Sequence, residues 1–227
     1  MKRIFGFPAL AGALVLVLAV CCGGSGPGYL PGPVRYAAGY EFNAANKAVA
    51  TVWKLMDGGV TPIPLTNGPN GAEAYALEVY GGDLYAAGFE SDGTKAVAKV
   101  WKLTDGAVTF IALTSGSNNA YAHALTVYGS DLYAGGYESD GAKNAAKVWK
   151  VTAGTFAEFT ALTNGANPAR ATALAVDGSD LYAAGDEFSG SMLVTKVWKL
   201  TGGAVTPIPL SNETYNAAAY ALLLVWE

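Results

Sequence analysis

The sequence predicts an all-β chain made of four copies of one antiparallel sheet. Three observations carry this. Tyr-Ala-Ala-Gly-Tyr-Glu at 36–41 returns, with small changes, at 85–90, 133–138 and 182–187. Val-Trp-Lys recurs at 52–54, 100–102, 148–150 and 197–199, so the tryptophans are spaced by 48, 48 and 49 residues. Each copy also breaks into short apolar runs bounded by Gly, Asp, Asn and Ser, the pattern of strands between turns. Near-constant spacing means one structural unit per copy, and internal repeats decide the architecture before any local reading does.

The chain starts with a segment of a different kind. Lys2 and Arg3 precede an apolar stretch, Ile4 to Val20, broken only by Gly6, Pro8 and Gly12. That is the make-up of an export signal over residues 1–22. Its end, Leu18-Ala-Val-Cys21-Cys22-Gly-Gly, resembles a bacterial lipobox, which implies lipidation of Cys21, or of Cys22 with Cys21 just before the cut. Val20 departs from that pattern, which wants a small residue there. An ordinary signal cut nearby, or an uncleaved anchor, is the alternative. Residues 23–33 are rich in Gly and Pro and read as a tether. Residues 34–227 form the repeated body, with no cysteine after Cys22 and hence no disulfide. The expected location is the bacterial cell envelope, by lipid anchor.

Within the body the second copy sets the frame. Run a spans 74–80, run b 84–90, run c 96–103 and run d 107–113. Run a returns at 120–128 and 171–176. Run lengths and glycine turns exclude helices. Alanine is a poor strand former, so the composition is atypical. Four strands per repeat of roughly 50 residues is the arithmetic of a β-propeller blade. The first copy lacks a run a, and the last segment, Ala219 to Glu227, supplies one: Leu222 follows Leu210 by 12 residues, as Leu77 follows Leu65. The expected fold is a four-bladed β-propeller, closed when this C-terminal run pairs with run b at 34–41. The rival is an open array that completes its ring by pairing chains; the closed monomer is the preferred reading.

The repeats resemble bacterial β-propeller repeats whose core reads Asp-x-Tyr-x-x-Gly. The matching residues are Asp83, Tyr85 and Gly88; Asp131, Tyr133 and Gly136; and Asp180, Tyr182 and Gly185. The first copy has no such Asp. The resemblance implies a propeller fold and secretion, and carries over no catalytic residue.

Composition narrows the function. The body holds 12 basic and 18 acidic residues, a net of −6, against phosphate neutralisation and so against nucleic-acid binding. His123 is the single histidine, against a multi-histidine metal site. No cofactor is expected. Asp83, Asp131 and Asp180 are expected to bond nearby turn backbone. Glu41, Glu90, Glu138 and Glu187 could form an acidic ring, but pairing with strand lysines such as Lys99 and Lys147 fits them better. The d–a loops differ between copies and share an end of the sheets with the b–c loops. Their Asn70, Asn118, Asn119, Asn167, Arg170, Asn212 and Tyr215 are the candidate binding residues. The expected function is a non-enzymatic module binding glycan or protein. The alternatives are a hydrolase or lyase acting on polysaccharide, or a structural envelope protein. A lone histidine and acids that recur with the repeat argue against catalysis.

Overall fold

The computed structural model describes residues 15–17, 34–152, 155–211 and 214–223. It contains four antiparallel sheets of four strands each, packed in succession. The first comprises β1 (Val15–Val17), β2 (Arg35–Phe42), β3 (Ala48–Met56) and β4 (Gly59–Pro64). The second comprises β5 (Ala72–Tyr80), β6 (Asp83–Ser91), β7 (Ala96–Thr104) and β8 (Ala107–Ala112). The third comprises β9 (Ala120–Tyr128), β10 (Asp131–Ser139), β11 (Asn144–Thr152) and β12 (Thr155–Ala161). The fourth comprises β13 (Ala169–Asp177), β14 (Asp180–Ser189), β15 (Met192–Thr201) and β16 (Ala204–Pro209). The all-β, propeller-like architecture of the sequence reading stands.

Apolar cores lie between neighbouring sheets. Trp101 packs with Ala38, Ala50 and Val52 of the first sheet; Trp149 with Ala87, Ala98 and Val100 of the second; Trp198 with Ala146 and Val148 of the third. Alanine, weak as a strand former, is used here for close approach: its small side chain leaves room for each indole against the sheet before it. All three indoles are at most 1% exposed. Among the described residues no sheet precedes that of Trp53, which stays half-buried and donates its Nε1 hydrogen to Glu41 at 3.2 Å.

The repeated charges join strands within a sheet. Lys99, Lys147 and Lys196 pair with Glu90, Glu138 and Glu187 at 2.5, 2.9 and 2.6 Å. This is the lysine pairing expected from sequence. The motif aspartates differ from expectation, because they reach across to the neighbouring strand rather than to turn backbone. Asp83 accepts from Lys102 at 2.7 Å and Thr104 at 2.7 Å, and Asp180 accepts from Lys199 and Thr201. The turns need no help from them, since Gly81 and Gly82 adopt φ of 61° and 88°, the conformation a tight hairpin requires.

The motif glycine has its own cause. Each inner strand of the last three sheets carries a bulge: Ala74 and Ala76 oppose Gly88 and Ala87, leaving Tyr75 unpaired between them. His123 and Thr172 hold the same position in β9 and β13. A Cβ on Gly88, Gly136 or Gly185 would lie 1.9, 1.9 or 2.0 Å from the carbonyl oxygen of Glu73, Tyr121 or Arg170. Glycine is what lets the bulged strand approach, and a bulge turns one side chain out of the alternation.

The expected closure is corrected. Among the described residues, the C-terminal run does not pair with β2. Instead β1, from within the predicted export signal, takes that edge, with Val15 opposite Ala38 and Val17 opposite Tyr36. Val-Leu-Val has the stronger strand propensity of the two candidates. Residues 217–223 lie along the fourth sheet, where Ala217 N–H donates to Leu193 O at 2.8 Å and the Thr172 hydroxyl to Ala219 O at 2.5 Å. Cys21, Cys22 and the tether at 23–33 fall outside the described residues.

Candidate functional site

The bulges and the strand ends beside them gather unlike side chains where the repeats differ most. Glu73, Tyr121 and Arg170 occupy one equivalent position; Tyr75, His123 and Thr172 a second; Phe89, Tyr137 and Asp186 a third. β9 neighbours both β5 and β13, so these positions stand in a row across the three inner strands. They lie where the inner strands begin, at the end carrying the d–a and b–c loops.

The contacts are continuous from one sheet to the next. The Tyr75 hydroxyl donates to Glu73 Oε2 at 3.0 Å. Its ring lies 4.9 Å from the His123 ring and 6.1 Å from Phe89. Phe89 meets Tyr121 at 4.7 Å, and Tyr121 meets Tyr137 at 5.1 Å. His123 lies 5.6 Å from Tyr137. On the fourth sheet the Arg170 Nε–H is shared between both oxygens of Asp186, at 2.9 and 3.0 Å. Asp186 is 2% exposed, whereas the Arg170 side chain is 38% exposed. The basin, as this cluster is named below, joins aromatic rings of the second and third sheets to an ion pair of the fourth whose Arg170 charge reaches His123 and Tyr137.

Burial governs its electrostatics. It pushes the Tyr137 hydroxyl up to about 12 and the Tyr75 hydroxyl beyond the range of ordinary conditions, with the Glu73 charge adding to the latter. Burial also holds Asp186 above the usual carboxylate range against the pull of Arg170. His123 is held down to about 4, first by burial and then by the Arg170 charge. It is therefore neutral at physiological pH and packs as an aromatic ring.

This His123 shift has a measurable consequence. The unfolded chain binds a proton at His123 near pH 6.5, and the folded chain does so only near pH 4. Stability is therefore fully present above about pH 6.5 and is lost as pH falls toward 4. Between pH 7 and 5 the expected loss from this group is about 2 kcal/mol. Urea midpoints against pH, for the native chain and His123→Phe, check it. An unchanged slope in the variant over that interval refutes the assignment.

Of the residues singled out from sequence, Arg170 enters the basin. Asn119 does not: its Oδ1 accepts from Ala96 N–H at 2.9 Å, tying a d–a loop to the start of β7. Asn70, Asn118 and Asn167 are half-buried in the loops at the same end. Tyr215 is 78% exposed. Asn212 falls outside the described residues. Sequence reasoning passed over Glu73, Tyr75, Phe89, Tyr121, Tyr137 and Asp186, and took His123 only as the single histidine that argues against a metal site. The signal was present in the repeats themselves: a column that varies among near-identical copies marks a position freed from the shared packing.

No protein-family model and no curated relative match the chain. Among solved structures, the chain is similar to one titled Bacteroides ovatus Xyloglucan PUL GH43B, at 13% identity and a TM-score of 0.47. The likeness covers 79% of this chain and 39% of that one, and it concerns shape. The expectation that this protein is not an enzyme is corrected, because the ground it stood on fails. The acids do not all recur with the repeat, since Glu73 and Asp186 stand at positions where other copies have Tyr, Arg or Phe.

Proposed function

We propose that the protein is an exported, lipid-anchored, four-bladed β-propeller that binds a polysaccharide in this basin and cleaves a glycosidic bond there. One observation carries the reading: the side chains that break the repeat gather at one place, and they are aromatic rings, two carboxyl groups and a guanidinium. Sugar rings present C–H faces that lie on aromatic rings and hydroxyls that bond carboxylates and guanidinium. Glycosidic cleavage runs through two carboxyl groups, one holding a proton. Asp186, kept above the usual carboxylate range by burial, suits the protonated role, and Glu73 is the second group. Asn70, Asn118 and Asn167 form the approach from the loops, and Cys21 or Cys22 holds the anchor.

The test is affinity electrophoresis and reducing-sugar release on a panel of polysaccharides. Retardation and release are both expected for the native chain. Tyr137→Ala removes a stacking face and weakens retardation by about tenfold. Glu73→Gln and Asp186→Asn keep retardation and cut release by roughly 100-fold or more. Folded protein that is retarded by no polysaccharide, or whose retardation Tyr137→Ala leaves unchanged, overturns the site. Retardation without release overturns the reaction.

A further inference from the structure

We propose that the inner edge of β2 is a strand-exchange seat. Val15–Val17 hold it in the full-length chain, and the C-terminal segment from Ala218 takes it once the N-terminal segment is removed.

Four observations meet here. First, residues 217–222, Ala-Ala-Ala-Tyr-Ala-Leu, match residues 72–77, Ala-Glu-Ala-Tyr-Ala-Leu, at every position but one. Residues 72–77 form the inner-strand half of β5 in the second sheet. Second, the chain leaves the fourth sheet through the same contact used where it leaves the second. Asn216 Oδ1 accepts from Leu193 N–H at 2.8 Å, as Asn119 Oδ1 accepts from Ala96 N–H at 2.9 Å. Beyond Asn119 the chain enters the inner strand of the next sheet; beyond Asn216 the sheet still lacking a repeat-derived inner strand is the first.

Third, the seat is shaped for a bulged strand that β1 does not provide. Gly39 is the first-sheet counterpart of Gly88, Gly136 and Gly185. Those three face a carbonyl oxygen within 2.0 Å of where a Cβ would stand, whereas a Cβ on Gly39 would meet the Trp53 ring at 3.0 Å. The pairing of β1 stops at Ala38, one residue short of Gly39. In the register of β5, Ala219 would oppose Gly39 and Tyr220 would be the bulged residue, equivalent to Tyr75.

Fourth, a cavity of about 390 Å³ lies between the first two sheets beyond the end of β1, lined by Tyr36, Ile63, Val79, Leu84, Leu103 and Gly82. At the next two junctions the same place is filled. There the Tyr80 hydroxyl donates to Ser130 O at 2.5 Å and the Tyr128 hydroxyl to Ser179 O at 2.5 Å. The residue that the register puts at Tyr80's place is Val225, and the one at Ser130's place is Gly82. Leu223 and Tyr220, meanwhile, are 82% and 73% exposed where they lie. The exchange buries apolar surface, pairs an edge strand along more of its length, and brings Tyr220 to the basin as a fourth bulged side chain.

A cross-link reads the exchange directly. In the β5 register Leu223 faces Tyr36, as Glu78 faces Tyr85. The full chain is prepared with Cys21→Ser, Cys22→Ser, Tyr36→Cys and Leu223→Cys, and with a protease site placed in residues 23–29. It is oxidised before and after cutting and removal of the freed peptide. The proposal expects an intramolecular disulfide, seen as a mobility shift on a non-reducing gel, after the cut and not before it. A disulfide formed equally before the cut overturns the role of Val15–Val17. None after the cut, in protein whose far-UV circular dichroism and melting are retained, overturns the C-terminal occupant. Single-cysteine controls distinguish a dimer from the intramolecular product.

Discussion

Gly136→Ala is expected to destabilise the protein by about 3 kcal/mol or more, lowering Tm by roughly 6–12 °C for a chain of this size. Most glycine replacements cost far less than this. At this position the new methyl would stand 1.9 Å from Tyr121 O and 3.0 Å from Ala122 Cα. Those atoms belong to main chain paired on both sides of a bulge, so they cannot swing aside as a long side chain would. Relief requires the bulge to open, and that moves His123, the residue the bulge turns out. The same substitution should therefore disturb the basin as well as the fold. Gly58→Ala is the control, since nothing lies within 4 Å of its Cβ position. Thermal melts of both variants, with ring-proton shifts of His123, check it. A Gly136→Ala chain that melts within a degree or two of the native one would show that β9 and β10 approach less closely than the structure has them.

The same glycine shows what was legible in sequence and what was not. Asp-x-Tyr-x-x-Gly was visible as a repeated motif, and it placed the strands well. In the second copy the apolar runs are 74–80, 84–90, 96–103 and 107–113, and the strands are Ala72–Tyr80, Asp83–Ser91, Ala96–Thr104 and Ala107–Ala112. The reason for the glycine was not visible, because a bulge is a property of two strands in register and not of either alone. The basin was missed for a related cause. Repetition drew the eye to what the copies share, and what they share is the packing between sheets. Glu73, Tyr121 and Arg170 are each unremarkable in their own strand and become a site only when the three inner strands are set side by side. The loops were the expected site because loops vary. Here the varied positions that converge are on strands, where a bulge frees a side chain from the core while a sheet holds it still.

Arg170→Ala is expected to cost about 3 kcal/mol at neutral pH, and much less in acid. Asp186 is buried, and both its oxygens accept from the Arg170 Nε–H. Without that partner a buried carboxylate has lost its counter-charge, and it answers by taking up a proton. Burial already holds its carboxyl above the usual range, and losing the cation raises it further. The sign follows from linkage. A carboxyl whose folded pKa lies above its unfolded value binds more protons folded than unfolded. Its contribution is then fully present below the unfolded value and is lost as pH rises through the folded one. The variant should consequently approach native stability near pH 4 and fall away from it toward pH 7. Adding Asp186→Asn to Arg170→Ala removes the stranded charge and should restore most of the loss at pH 7, while Asp186→Asn alone should change little with pH. Urea denaturation of the three variants at pH 4 and pH 7 measures this. If Arg170→Ala is as stable as the native chain at both, the ion pair is a surface contact and the basin has no buried acid. If the loss is the same at both, the cost is packing of the arginine stem, and Asp186 does not hold the proton on which the proposed cleavage depends.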